Sequence, residues 1–241
     1  PRRGGRRRPV GDGAGKYMAI KNNEGRFKID AAAFAIALIV LVFAVYLNTL
    51  YGGFVYDDTK QIIGNRWITS ASHIKDIFST HTFGFLQDNY QAISYRPMMF
   101  IMFMADYALF GLDNAWGWHL VSVLVHALNA VMVFVVVSGL LSRRAPRPSS
   151  IAAHLPPFAA AAIFAVHPVN SEPVSWIAAQ PELSYTLLTL VCFYLYMSSG
   201  AGPAKGLLRA LKYRALPAAL FFVALLYKET RRPTAPRSPV R

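Results

Sequence analysis

A single cysteine, Cys192, stands among the 241 residues. One thiol excludes a disulfide framework within the chain and a thiolate metal cluster, and it leaves the redox compartment undetermined. Charge is also scarce, at 15% of residues, and acids are the scarcer part: 12 Asp and Glu against 25 Lys and Arg, a net charge of +13. Together with 54% hydrophobic residues, this balance falls outside that of soluble domains and fits a chain solvated by a bilayer. The positive charge is not gathered into one stripe, as phosphate neutralisation requires, so no nucleic-acid partner is expected. It lies between apolar runs, where it sets membrane topology.

Those runs predict an all-α polytopic helix bundle of about five spans. Residues 31–50 are nearly uncharged and reach about 30 Å as a helix, enough for one hydrocarbon core. Gly52 and Gly53 then open a polar, aromatic loop, residues 51–116. Within it Thr69 or Ser70 is placed to cap a short helix with Ile74, Ile77 and Phe78 on one face, suited to the membrane surface. Met98 to Phe110 is apolar but short and interrupted by Asp106, and is read as a second interfacial helix. Further spans are expected over 117–141, 151–166, 183–198 and 215–227. Ahead of them, residues 1–30 form a basic N-terminal segment, irregular in its Arg, Gly and Pro-rich first part.

Loop charge orients this threading. With the N-terminus inside, segments 1–30, 142–155 and 199–214 hold 16 of the 25 basic residues, whereas 51–116 holds four and 167–182 none. Counting Met98 to Phe110 as a span would send Arg143 and Arg144 outside. The expectation is therefore a cytoplasmic N-terminus and an extracytoplasmic face carrying nine of the twelve acids, among them Asp57, Asp58, Asp106, Glu172, Glu182 and Glu229. The membrane would be a bacterial inner membrane or the endoplasmic reticulum.

Several residues on that face can carry chemistry. Asp57 and Asp58 form a carboxylate pair just beyond the first span. Such a pair suits a general base for a hydroxyl or a ligand for a divalent cation, but the dipeptide alone favours the plainer reading of a solvated turn. Tyr95-Arg96-Pro97 puts a guanidinium at headgroup level, where it can grip a phosphate or anchor to anionic lipid. His119, Ser122, His126 and Asn129 share one face of the second span, fit for interhelical hydrogen bonds or for lining a cavity. His167-Pro168-Val-Asn170-Ser-Glu172-Pro173, followed by Trp176, Gln180 and Glu182, folds a polar cluster back at the membrane surface. Lys228 and Glu229 end the fifth span with an expected mutual ion pair.

The order of these motifs, YDD, YRP, Phe110-Gly111-Leu112, Trp118-His119, HALN, HPVNSEPVSWIA and KE, resembles the membrane region of the transmembrane and tetratricopeptide-repeat O-mannosyltransferase family. The likeness runs from about Arg26 to Glu229. That family is similar to the wider GT-C glycosyltransferases, which use polyprenyl-phosphate sugars. The resemblance implies a partial GT-C-like transmembrane domain over 31–229 that transfers a mannose-like sugar from a lipid carrier to a hydroxyl of a protein, Ser or Thr, or of a glycan. Asp57 or Asp58 would act as base or orient the acceptor, and Arg96, beside Tyr95, would contact the carrier phosphate. His167, Asn170, Glu172 and Glu182 would line the cavity. The resemblance implies a polyprenyl-phosphate sugar as donor, fixes no cofactor beside it, and leaves a divalent cation as an option. A transporter or a non-catalytic membrane remnant are the alternative readings. Where an arginine is expected ahead of the acidic residue of the last loop, this chain has Gln180-Pro181-Glu182. Residues 230–241 are basic and proline-rich, resembling a frameshift or fragment end, and no 34-residue repeat is present.

Overall fold

The computed structural model describes residues 12–86, 94–144, 151–199 and 206–228, with side-chain environments from Ile29 onward. Among the described residues every regular element is helical. Helix α1, Asp12–Tyr46, tightens into a 3-10 turn over Leu47–Tyr51 before Gly52. It begins 19 residues ahead of the expected span, carrying helix back through part of the basic segment. The loop holds α2, Ile74–Ser79, and α3, Pro97–Phe110. Then follow α4, Ala115–Arg144, α5, Leu155–Val166, α6, Ser171–Ser175, and α7, Gln180–Ser198. A final helical stretch runs from α8, Leu207–Ala210, through a π-helical turn, Leu211–Ala215, into α9, Leu216–Tyr227.

Three helical segments are long and apolar enough to cross a membrane: Ile29–Tyr51, Ala115–Arg143 and Leu207–Tyr227. A fourth arises if α5 with its preceding turn, bent by 50° against Pro168–Ser175, counts as one span. The count is thus three to four, against about five from the sequence. The difference lies at α7, whose first turn is Gln180-Pro181-Glu182 and whose body mixes Ser, Thr and Tyr with leucines, diluting its apolar character. Pro97–Phe110 is a shorter apolar helix, as expected.

Packing follows from residue size. Helix α1 packs on α4 and α5, α4 on α7, and α7 on α9. Ala127, Ala130 and Ala165 sit with Val42, Tyr46, Val123, Val174 and Leu183 in the buried centre. Small side chains at these crossings let backbones approach, which is how helices gain dispersion contacts where lipid competes for apolar surface. On the outside, Ile36, Val40, Ile163 and Phe222 remain exposed, as lipid-facing positions do. The chain is an integral membrane protein.

The loop brings its own core. Met99, Phe100 and Phe103 of α3 are buried with Ile62, Trp67, Ile68, Ile77 and Phe85, and with Trp118 of α4 and Ile177. Of the face expected on α2, only Ile77 is buried; Ile74 and Phe78 stay exposed. Ser70 caps the turn ahead of α2 through its hydroxyl and the Ser72 amide. Because α3 also packs on α4, α7 and α9, it ties the loop across one end of the bundle.

Candidate functional site

That end collects the close of α1, the starts of α4 and α7, and the end of α9. Tyr56 has φ +50°, a left-handed value uncommon for an aromatic residue, and it reverses the chain immediately before the two acids. The result separates Asp57 from Asp58. Asp57 is exposed, and among the described residues its carboxylate accepts from the Gln61 carboxamide at 3.4 Å. Asp58 is fully buried. Its Oδ2 accepts from the Val55 amide at 2.9 Å and its Oδ1 from the Ala178 amide at 2.7 Å. Burial pushes the Asp58 carboxyl above its ordinary range and the charge of Asp57 adds to the rise, while the two amides and the nearby Trp176 indole pull against it.

Asp58 thereby joins the first loop to the segment after α6. Tyr56 stands edge-on to Trp176 across the same junction, with ring centroids 6.5 Å apart. In the HPVNSEP segment, His167 caps the following turn, its Nδ1 accepting from the Val169 amide. Asn170 donates to the Phe164 carbonyl at 2.6 Å. His167 and Glu172 are exposed, and the hydrogen bonds of the Asp58 carboxylate among the described residues go to Val55 and Ala178 rather than to either of them. Their positions border the junction.

Arg96 forms the N-cap position of α3, with Pro97 behind it pre-setting the first helical turn. Its Nε is buried without a hydrogen-bond partner, and no carboxylate among the described residues pairs with it. Tyr95 donates to the Phe78 carbonyl at 2.9 Å, holding the segment before Arg96 against α2. A guanidinium at a fixed helix start is suited to bind an anion.

Glu182 is engaged differently from the expectation. Lys228 donates to both its carboxylate oxygens at 2.6 Å, so the end of α9 is pinned to the start of α7. Sequence reasoning paired Lys228 with its neighbour Glu229, a residue outside the described ones. The outward acids also divide: Asp88 and Glu229 lie outside the described residues, while Asp58 and Asp106 are buried rather than solvated.

From sequence, Asp106 stands only as an outward acid interrupting an apolar helix, and Gln180 as part of the polar loop cluster; their proximity is a finding of the structure. Asp106 is 3% exposed on α3, beside the fully buried carboxamide of Gln180 on α7. Burial raises the Asp106 carboxyl to about 7, with Gln180 opposing the rise. The available signal was an aspartate inside an apolar run, which marks either a break or a buried polar contact.

On α4 the shared polar face is fully internal. His126 Nε2 is 2.9 Å from the Ala165 carbonyl of α5, and Asn129 donates to the Leu183 carbonyl of α7 at 3.0 Å. Those two side chains are interhelical ties. Ser122 turns to its own helix at the Trp118 carbonyl, and His119 packs against Gly52, where an added Cβ would lie 2.9 Å from Nε2. Among the described residues no group of three or more His, Cys, Asp or Glu is assembled for a metal ion.

The chain is similar to protein O-mannosyl-transferases. Tmtc2 of Drosophila melanogaster is 33% identical over 193 residues, covering 79% of this chain and 19% of that protein. Tmtc1 of the same organism is 32% identical over 191 residues, covering 79% and 20%. TMTC3 of Homo sapiens is 31% identical over 175 residues, covering 72% and 18%. The chain therefore spans about one fifth of the length of the curated relatives it matches. No family model and no solved structure matches it.

Proposed function

This chain belongs to the transmembrane and tetratricopeptide-repeat O-mannosyltransferase family, and from that we propose that it forms part of a glycosyltransferase site at the α3-covered end of the bundle. The transferred group is a mannose-like sugar carried on a polyprenyl phosphate. The acceptor is a hydroxyl, of protein Ser or Thr, and the site opens on the extracytoplasmic face. Supporting this reading is one observation above the others: a solvent-facing carboxylate, Asp57, held by a buried one, Asp58, at the same end as Arg96, which no carboxylate among the described residues neutralises.

In this mechanism Asp57 accepts the proton of the acceptor hydroxyl as its oxygen bonds to the sugar anomeric carbon. The bond from that carbon to the carrier phosphate oxygen breaks, and the electron pair leaves with the phosphate. Arg96 offsets the negative charge gathering there. Attack opposite the leaving group inverts the anomeric centre, as in GT-C enzymes. Asp58 acts as a positioning residue, holding the first loop through Ala178 rather than exchanging protons. Tyr95, His167, Asn170, Glu172 and Glu182 border the substrates, and a divalent cation at the phosphate is compatible with these acids.

Membranes containing the protein, supplied with a Ser/Thr peptide, test the donor. Polyprenyl-phosphate mannose is expected to support transfer and a mannose nucleotide is not. Arg96→Gln should raise the KM for the lipid donor about tenfold, as loss of a charge-assisted phosphate contact does. Transfer from the nucleotide alone, or an unchanged donor KM, contradicts the assignment.

A further inference from the structure

Tyr56 holds a backbone conformation that its side chain disfavours. Among the described residues it is the one non-glycine with positive φ, +50°, the other positive values belonging to Gly111 and Gly206. Glycine takes such a φ without steric cost, and an aromatic residue does not. The reversal is also locked. The Asp58 amide donates to the Val55 carbonyl at 3.0 Å, the Val55 amide donates to Asp58 Oδ2 at 2.9 Å, and the Thr59 hydroxyl donates to the Tyr56 carbonyl at 2.7 Å. A bulky residue kept under strain by its surroundings points to a use for its side chain.

Packing does not supply that use, because Tyr56 is 85% exposed. Its ring contact among the described residues is the edge-on one to Trp176, whose own ring is half-buried. Trp176 belongs to the segment that Asp58 fastens through Ala178, so one carboxylate ties together the two loops that carry these rings. Exposed Asp57 and Lys60 on the same turn place Tyr56 in water rather than in hydrocarbon.

Position then assigns the use. Consecutive Cα atoms lie about 3.8 Å apart in any chain, so an acceptor whose hydroxyl meets Asp57 brings its next residue within reach of the Tyr56 ring. Tyrosine and tryptophan offer large contact area with few torsions to fix, which suits them to recognition. Their partner here is apolar. An acidic flanking residue would meet the charge of Asp57 and of Glu172, which lies one turn ahead of Trp176.

We propose that Tyr56, backed by Trp176, is a specificity-determining residue that receives the apolar side chain next to the acceptor Ser or Thr. This rests on the sugar-transfer reading for its acceptor, but the contact itself is tested without turnover.

The probes are fluorescently labelled Thr peptides with Leu, Gly or Asp on both sides of the Thr, titrated into the detergent-solubilised protein and followed by anisotropy. Wild type is expected to bind the Leu peptide about fivefold more tightly than the Gly peptide, the effect of partly burying an apolar side chain, and the Asp peptide most weakly. Tyr56→Phe should keep that preference. Tyr56→Gly should bring the Leu and Gly peptides to equal affinity while its thermal midpoint stays at or above that of wild type, because the strain is relieved. Tyr56→Asn, which also tolerates positive φ, should do the same and decides the matter if Tyr56→Gly does not fold. Equal binding of the three peptides by wild type, or a preference that survives in the Gly and Asn variants, overturns the contact. So does a midpoint several degrees lower in both variants, which would show a ring that serves the fold. The expected pattern in a protein that transfers no sugar upholds the contact and contradicts the proposed function, and transfer without any such preference does the reverse.

Discussion

The buried carboxylate of Asp58 accepts the backbone N–H of Ala178 at 2.7 Å, fastening two loops that lie 120 residues apart in the chain. Its neighbour Asp57 makes no such tie among the described residues, so one dipeptide holds a structural acid and a solvent-facing one.

Replacing Asp58 with Ala removes the acceptor of two amides and leaves them unpaired, at a cost of about 2–4 kcal/mol from the loss of charge-assisted bonds. The thermal midpoint is expected to fall by several degrees, and Asp58→Asn, which keeps one oxygen, to fall less. Asp57→Asn should leave the midpoint within a degree of wild type. Equal losses at both positions would show that the two acids share one structural role.

Asp106 gives stability a pH dependence of definite sign. Below pH ~4 both folded and unfolded chains hold its proton. As pH rises toward about 7 the unfolded chain releases the proton while the folded chain keeps it, so stability falls across that window and levels off above it. Asp58, also raised by burial, contributes in the same direction. Thermal midpoints from pH 4.5 to 7.5 are expected to decline in wild type and to decline less in Asp106→Asn. An equal slope in both would mean that Asp106 is solvated.

Much of this could be read in advance, and the limits are instructive. Spacing of three and four residues identified the inward face of α4 correctly, because helical period alone decides which side chains share a face. The apolar but short Pro97–Phe110 helix was legible from its length. What spacing could not tell was which of two adjacent acids is buried, since that depends on the backbone reversal at Tyr56. The partner of Lys228 lies 46 residues away, invisible to a reading that pairs neighbours. Asp106 looked like an outward acid because its closest polar companion, Gln180, belongs to a distant helix.

His126 and Asn129 are expected to act as ties between helices rather than as a conducting path. Alanine at either should cost about 0.6–1.7 kcal/mol in detergent, the range for interhelical hydrogen bonds in membranes. Differential scanning fluorimetry reads the loss. A stabilising effect at both positions would indicate polar groups held open for a solute.

The Glu182 and Lys228 pair is half-exposed, so Lys228→Ala is expected to change stability by no more than about 1 kcal/mol, and the effect should shrink with added salt. The reversed pair, Glu182→Lys with Lys228→Glu, should recover most of it. A salt-independent loss of several degrees would identify a contact of another kind.

The central claim, that Asp57 is the base of a sugar transfer, is tested most directly by the rate of mannose transfer from polyprenyl-phosphate mannose to a Ser/Thr peptide in membranes containing wild type or Asp57→Asn. With thermal midpoints matched, the account predicts a fall of about a hundredfold or more, the usual range for losing a general base. A rate equal to wild type would contradict it.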